Sequence, residues 1–346
     1  MAGSDLSGFE KPWVKLYHFL MYRGYRLRPR YDPEYVPTLV RKKRICHEAW
    51  YHEPEDEIDI PVPGVLDAVR LADGTKVVLR KAATWRDEVP ILQKLKHLQE
   101  DTRNHIVPIL DTILLPDTDE HVLLVMPFLR EYYDPPFSCP AQVIHALSQF
   151  LETLEFLHEQ NIAHRDFCRR NLMMNSDELV PGGFHFAAAW CDPTGRPGLV
   201  VRDRGEVPPV QYFVIDFGLS SCLPSRTSLV TGRFGQDKTV PELSWDVPYN
   251  PFKVDIYQLG QVILQDMVNV YSDLEFLRPL AAVMTHANPS YRPDIDEAIA
   301  VFQKTVEELP GSVLQQSIHV VDREFGYLLA RRPVPRRLCF VIPLEC

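Results

Sequence analysis

An aspartate and an asparagine five residues apart, Asp166 and Asn171, sit in the stretch His164-Arg165-Asp166-Phe167-Cys168-Arg169-Arg170-Asn171. This pair suits phosphoryl transfer. The aspartate can take or orient the proton of an attacking hydroxyl, and the asparagine amide oxygen can ligate Mg²⁺. A second candidate Mg²⁺ ligand, Asp216, follows a strand-like apolar run in Tyr212-Phe213-Val214-Ile215-Asp216-Phe217-Gly218. Phosphoryl transfer asks for positioning and charge neutralisation more than for covalent chemistry. The remaining parts to seek are a cation for the α- and β-phosphates, a carboxylate to hold it, and an apolar bed for a nucleotide base.

The two motifs in this order resemble the signature pair of the protein kinase family. Three further stretches carry the same resemblance. Val240-Pro241-Glu242 is similar to the family's Ala-Pro-Glu, with Val for Ala. Asp255-Ile-Tyr-Gln-Leu-Gly260 resembles the buried helix whose aspartate braces the catalytic loop, and Tyr291-Arg292-Pro293 supplies the arginine that pairs with the Glu242 position. Small-molecule phosphotransferases share the catalytic motifs but usually lack that Glu/Arg pair. The resemblance covers about residues 58–306. It implies an α+β, bilobal fold with a small β-rich N-lobe and a larger helical C-lobe, ATP and Mg²⁺ as cofactors, and a protein hydroxyl, Ser or Thr, as acceptor. It implies that Asp166 orients the hydroxyl, that Asn171 and Asp216 hold metal, that Arg165 contacts a phosphorylated activation segment, and that His164 is structural.

The nucleotide side departs from the family pattern. Where the family reads Val-Ala-Ile-Lys, this chain reads Val77-Val78-Leu79-Arg80. Strand alternation puts residues 78 and 80 on one face and 77, 79 and 81 on the other. Val78 is then expected against adenine and Arg80 facing the phosphates, while Lys81 fills that place only after a one-residue slip. Arginine keeps the charge, but its planar fork is not a lysine point charge. Glu88, in Glu-Val-Pro-Ile-Leu, is the expected carboxylate partner. Met126 is the expected gatekeeper, and Pro127-Phe128-Leu129 the hinge. No Gly-x-Gly-x-x-Gly precedes the second strand, where Gly64 stands alone. Cys168 occupies the place of the lysine that serine/threonine kinases carry two residues after the aspartate, and reads as a small filler. Arg169 or Arg170 can hold the γ-phosphate; Arg170 matches a position where tyrosine kinases often carry Arg. The segment Thr231–Val240 lacks the proline expected of a tyrosine kinase. The long Pro-rich insert and Pro135-Pro136-Phe137 resemble a group of expanded fungal kinase-like proteins.

The elements that must position these residues can be read in outline. Val65–Leu71 and Lys76–Arg80 flank Asp73-Gly74, a hairpin pattern. Val89, Leu92, Leu95 and Leu98 mark a helix near Trp85–Glu100, with Pro90 tolerable only in its first turn. Ile106–Leu115 and Val122–Met126 read as strands. Ile144, Leu147, Leu151, Leu154 and Leu157 mark a long amphipathic helix ending near His158, and Asp255–Val270 a buried one. Further helical pieces are expected over Leu274–Met284 and Ile295–Glu308. Domain bounds follow: an extension over 1–56, an N-lobe over 57–128, a C-lobe over 129–308 and a C-terminal extension over 309–346. Residues 176–210, rich in Pro and Gly, read as a surface insert, partly ordered at best.

Composition excludes some classes. Net charge of −10 argues against a surface built for nucleic acid or anionic membrane, although Arg41-Lys42-Lys43-Arg44 is a local basic cluster, followed in the chain by the acidic Glu53–Asp59 that can neutralise it. The seven cysteines include no Cys-x-x-Cys pair, which fits reduced thiols in a cytoplasmic or nuclear protein. The N-terminus lacks a secretory pattern, Cys346 is not placed for prenylation, and no apolar run approaches the ~20 residues of a membrane helix. The leading expectation is an ATP- and Mg²⁺-dependent protein kinase. Its alternative is a pseudokinase, a nucleotide-binding or scaffolding module in which Arg80 and the absent glycine loop have cost the chemistry. The sequence leaves oligomeric state open.

Overall fold

A computed structural model describes residues 6–36, 58 and 62–321. The basic cluster Arg41–Arg44, most of the acidic Glu53–Asp59 and residues 322–346 lie outside the described residues. The first elements are α1 (Lys11–Tyr22), β1 (Tyr25–Arg26), β2 (Val65–Arg70), β3 (Lys76–Ala83), α2 (Glu88–Lys96), β4 (Asp111–Leu114) and β5 (His121–Pro127). The strands form one antiparallel sheet in the order β1-β2-β3-β5-β4. The hairpin β2–β3 turns where expected, through Gly74 at φ +75°, a backbone angle that glycine adopts without steric cost.

The two faces of this sheet differ as period-2 patterning requires. Leu66, Ala68, Val77, Leu79, Leu123 and Val125 pack outward with Trp13, Leu20, Tyr25, Leu27 and Tyr31. The stretch expected as an extension therefore supplies the edge strand and the layer that covers the sheet's outer face. The inner face carries Val78, Ala82, Leu124 and Met126 toward the main core. α2 is shorter than its periodicity suggested, with Pro90 in its first turn. The strand expected over Ile106–Leu115 is limited to β4, because Ile106 bridges Val214 instead.

The second half holds β6 (Arg130–Glu131), α3 (Pro140–Glu159), β7 (Ile162–Ala163), β8 (Leu172–Met174), β9 (Tyr212–Val214), β10 (Ser221–Cys222), β11 (Val230–Gly232) and β12 (Ser244–Tyr249). Then come α4 (Pro251–Val262), α5 (Arg278–Met284), α6 (Ile295–Glu307) and α7 (Gly311–Leu314). α4 continues into a π-helical stretch over Ile263–Val268, and the two are buried along most of their length. No helix of the described residues is long and apolar enough to cross a membrane.

The insert over 176–210 corrects the expectation of a partly ordered surface loop. Leu179, Val180, Phe184 and Val210 are buried in the main core. Arg204, also buried, donates to the carbonyls of Tyr132 and Pro135 (2.7 and 2.6 Å) and to the Tyr212 hydroxyl (2.7 Å). Its guanidinium lies 4.5 Å from the Phe137 ring centre. A buried charge is costly unless it is hydrogen-bonded, and here two loop carbonyls and the Tyr212 hydroxyl take the terminal guanidinium nitrogens, while Nε has no partner among the described residues. The insert also reaches the sheet: Lys76 Nζ donates to the Phe184 carbonyl at 2.8 Å, and Arg28 meets His185 Nε2 at 3.1 Å.

Candidate active site

The catalytic loop is held from below by α4. Asp255, fully buried, accepts the backbone N–H of His164 (2.8 Å) and of Arg165 (2.6 Å), and meets His158 Nε2 at 3.1 Å. Gln258, one turn on, accepts the Phe167 N–H at 2.8 Å. These acceptors stabilise a loop whose Arg165 has φ +67°, a region costly for any residue but glycine. His164 plays the structural part expected of it. Its ring lies between those of Phe167 and Phe217, and its Nε2 meets the Ile215 carbonyl at 3.1 Å, tying the catalytic loop to the Asp216 loop. The pairing of β7 with β10 clasps the same two segments.

Asp166 is buried, and its Oδ2 accepts the Asn171 side-chain N–H at 3.0 Å. The same Asn171 nitrogen donates to the Asp166 carbonyl at 2.8 Å, so the amide oxygen is the end left for a cation. Asp216, at φ +65°, accepts from Gly218 N–H through Oδ1; its Oδ2 takes no hydrogen bond from a described residue. A side-chain oxygen of Asn171 and one of Asp216 thus remain, a donor set of the kind Mg²⁺ takes when phosphates and water complete its octahedron. The residues present fit the metal that the motifs imply.

Arg80, not Lys81, points to this centre. In the β2–β3–β5 register Arg80 lies opposite Val65 and Leu124, with no slip, and Lys81 is exposed. Arg80 Nε donates to Glu88 Oε1 at 2.8 Å, and Nη2 donates to Asp216 Oδ1 at 2.6 Å. The two carboxylates hold the guanidinium pKa up against the burial that lowers it. Glu88 is buried at the start of α2. Val78 and Met126 face each other across β3 and β5, at the inner wall, and Phe128 follows β5. Gly64 has φ +73°, and its carbonyl accepts the Lys81 N–H at 2.8 Å, closing the base of β2.

The two arginines of the catalytic loop separate. Arg169 is drawn away: its guanidinium lies 4.1 Å from the Tyr133 ring centre and pairs with Asp266 at 3.4 Å. Arg170 is exposed, with no ion pair to a described residue. Cys168 behaves as a filler, its thiol pushed up to about 12 by burial and then by the Asp166 charge, far from the thiolate that a reactive cysteine needs. Arg165 donates to the Ser221 hydroxyl at 3.0 Å and lies 5.8 Å from the Phe234 ring centre. Arg292, its side chain fully buried, grips Glu242 with two bonds of 2.6 and 2.9 Å.

Two features of the site had no counterpart in the motif reading. One is Gln236, bonded to Asp166 by both its backbone and its side chain; a lone polar residue in a loop carries no sequence signal for that. The other is Phe184, whose ring lies 4.5 Å from that of Phe128. The aromatic pair Phe184 and Phe186, inside a Gly- and Pro-rich stretch, was the available hint that the insert packs.

The chain is similar to several curated proteins. It is 23% identical over 209 residues to the serine/threonine/tyrosine-protein kinase HT1 of Arabidopsis thaliana, covering 59% of this chain and 41% of that one. It is 23% identical over 189 residues to a probable casein kinase II subunit alpha homolog of Encephalitozoon cuniculi, covering 54% and 47%. With cyclin-dependent kinase 4 of Mus musculus it shares 31% over 102 residues, covering 27% and 33%. The chain spans less than half the length of each of these relatives. The protein kinase domain family matches residues 68–275, more than half of the sequence, across the sheet, the hinge, the catalytic loop and α4. With Asp166, Asn171, Asp216, Arg80 and Glu88 gathered at one centre, the chain belongs to the protein kinase family.

Proposed function

We propose that the protein transfers the γ-phosphoryl group of ATP to a protein hydroxyl, Ser or Thr, with Mg²⁺. The observation that carries this reading is the convergence of five side chains from four separate segments. Arg80 joins Glu88 and Asp216, and Asn171 joins Asp166. In this reading Asp166 orients the acceptor hydroxyl and takes its proton, and Arg80 steadies the α- and β-phosphates while Glu88 steadies Arg80. Val78 and Met126 line the base, the backbone about Phe128 meets its edge, and Arg170, exposed and without an ion pair to a described residue, is the cation offered to the γ-phosphate. When bound, Mg²⁺ on Asn171 and Asp216 neutralises charge on the phosphates. The Ser/Thr assignment rests on Thr231–Val240, which lacks a tyrosine kinase's proline.

A direct test mixes the full chain with labelled ATP, Mg²⁺ and generic protein substrates beside Asp216→Ala. Transfer above the variant is expected; transfer no greater than the variant's overturns the reading.

Two observations favour a second reading, the pseudokinase. Arg80 already neutralises Asp216 at 2.6 Å, and the glycine loop is absent. A nucleotide-binding pseudokinase would be stabilised by ATP without transferring phosphate. Ligand at about 100-fold over its Kd adds roughly 2.7 kcal/mol.

A further inference from the structure

Gln236 lies on the surface, in the segment between β11 and Pro241, yet both of its donors reach the buried Asp166. Its backbone N–H meets Asp166 Oδ1 at 2.7 Å, and its side-chain Nε2 meets Oδ2 at 3.1 Å. The approach is built in. Gly235 has φ +91°, and a Cβ there would stand 3.0 Å from the Arg165 carbonyl and 3.2 Å from Asp166 Oδ1. Only glycine lets the chain come this close. On the other side of Gly235, Phe234 is fixed between the Trp245 ring (5.1 Å) and the Arg165 guanidinium (5.8 Å).

A carboxylate offers about four acceptor sites. On Asp166, Gln236 takes two and Asn171 a third, and the Cys168 thiol also hydrogen-bonds the carboxylate. Oδ1 accepts one of the Gln236 and Asn171 bonds against two on Oδ2, and is the oxygen turned to a substrate hydroxyl in this reading. From this geometry, which rests on the kinase reading above, we infer that Gln236 is a positioning residue for Asp166. Its side-chain amide supplies a second amide side-chain donor, beside that of Asn171, at a catalytic loop where residue 168 is a cysteine with no cation to offer. In the step it serves, the acceptor oxygen bonds to the γ-phosphorus as the bond from that phosphorus to the β–γ bridging oxygen breaks. ADP leaves with the electron pair, and the hydroxyl proton passes to Asp166 Oδ1. The amide keeps the carboxylate turned so that Oδ1 faces the acceptor.

The test compares the full chain with Gln236→Ala and with Gln236→Ala/Cys168→Lys, measuring kcat, the KM for ATP and the thermal midpoint. The alanine retains the backbone bond and loses the side-chain one. A roughly tenfold fall in kcat is expected, about one decade of barrier, with the KM for ATP and the midpoint unchanged. The lysine at residue 168 puts a cationic donor beside Asp166 in place of the weak thiol donor and is expected to recover most of the loss. An unchanged or raised kcat in Gln236→Ala overturns the inference, a raised value marking Gln236 as an obstacle to the acceptor. A fall that comes with a lower midpoint and no recovery by lysine also overturns it, as a merely structural effect. If the wild-type chain itself transfers no more label than Asp216→Ala, the kinase reading fails and the positioning role falls with it.

Discussion

Arg80→Lys separates the two uses the fold makes of one side chain. In the native chain the guanidinium fork spans Glu88 at 2.8 Å and Asp216 at 2.6 Å. A lysine ammonium is a compact charge; it can keep the buried Glu88 but does not reproduce the fork. A hydrogen bond between charged groups is worth about 1.5–3 kcal/mol. The Asp216 side chain is 34% exposed, so solvent screening puts the Arg80–Asp216 bond at the low end, about 1.5 kcal/mol. Asp216 gives up that bond before it can serve a cation. Its release in Arg80→Lys should tighten the uptake of Mg²⁺·ATP roughly tenfold, at 1.4 kcal/mol per decade. The assay is the thermal midpoint followed through a titration of ATP at fixed Mg²⁺, alongside phosphoryl transfer at sub-saturating Mg²⁺. Half-saturation should move to about one tenth of the native concentration. Lys81→Ala should leave it where it was, because Lys81 is exposed on the opposite face. No tightening in Arg80→Lys, or a weakening in Lys81→Ala, would refute the argument.

Other outcomes follow from the buried polar groups. Asp255→Ala strips three donors of a fully buried acceptor, a loss of about 3 kcal/mol. With an unfolding entropy of about 2.1 cal/mol/K per residue over 346 residues, the thermal midpoint should fall by about 4 °C and transfer should drop with it. An unchanged midpoint would show that the loop holds its shape unaided. Arg204→Ala should cost a similar ~3 kcal/mol and expose the insert to limited proteolysis between residues 181 and 205; resistance equal to the native chain would contradict the anchoring role. Asp266 supplies a pH test. Burial pushes its carboxyl from 3.8 up to about 6 against the pull of Arg169. The folded state therefore holds this proton more tightly than the unfolded one, and stability falls as pH rises from 3.8 through about 6. Asp266→Asn should lose less stability across that window, by on the order of 2 kcal/mol. Urea midpoints taken along the pH series would show parallel curves if the shift is absent.

What was legible in the sequence was whatever a local pattern dictates. Alternation in Val77–Arg80 placed Arg80 inward, and the sheet register agrees without a slip. The spacing of Asp166, Asn171 and Asp216, and the Glu242/Arg292 pair, depend on residue types at fixed offsets; the structure bonds Asn171 to Asp166, Arg80 to Asp216 and Arg292 to Glu242. Two things were not legible. The edge strand β1 is only two residues long and pairs across some forty residues of chain with β2. No periodicity can show in so short a strand, and the stretch read as an extension. The insert was misread for another reason. Pro and Gly report backbone conformation, not burial, so Phe184 and Arg204 gave little sign that they would find partners at the hinge and in the stretch that follows β6.

That insert changes the mechanics of the molecule. The hinge about Phe128 is the covalent crossing between the lobes. The insert, tied to β6 by Arg130 donating to the Ala189 carbonyl at 2.9 Å, adds a second crossing made of Lys76 to the Phe184 carbonyl and Arg28 to His185. A pivot with one strut leaves the two halves free to twist, whereas two struts side by side remove that torsion and leave opening and closing as the remaining movement. Heat should then meet one cooperative body, with sheet and helices melting in a single transition.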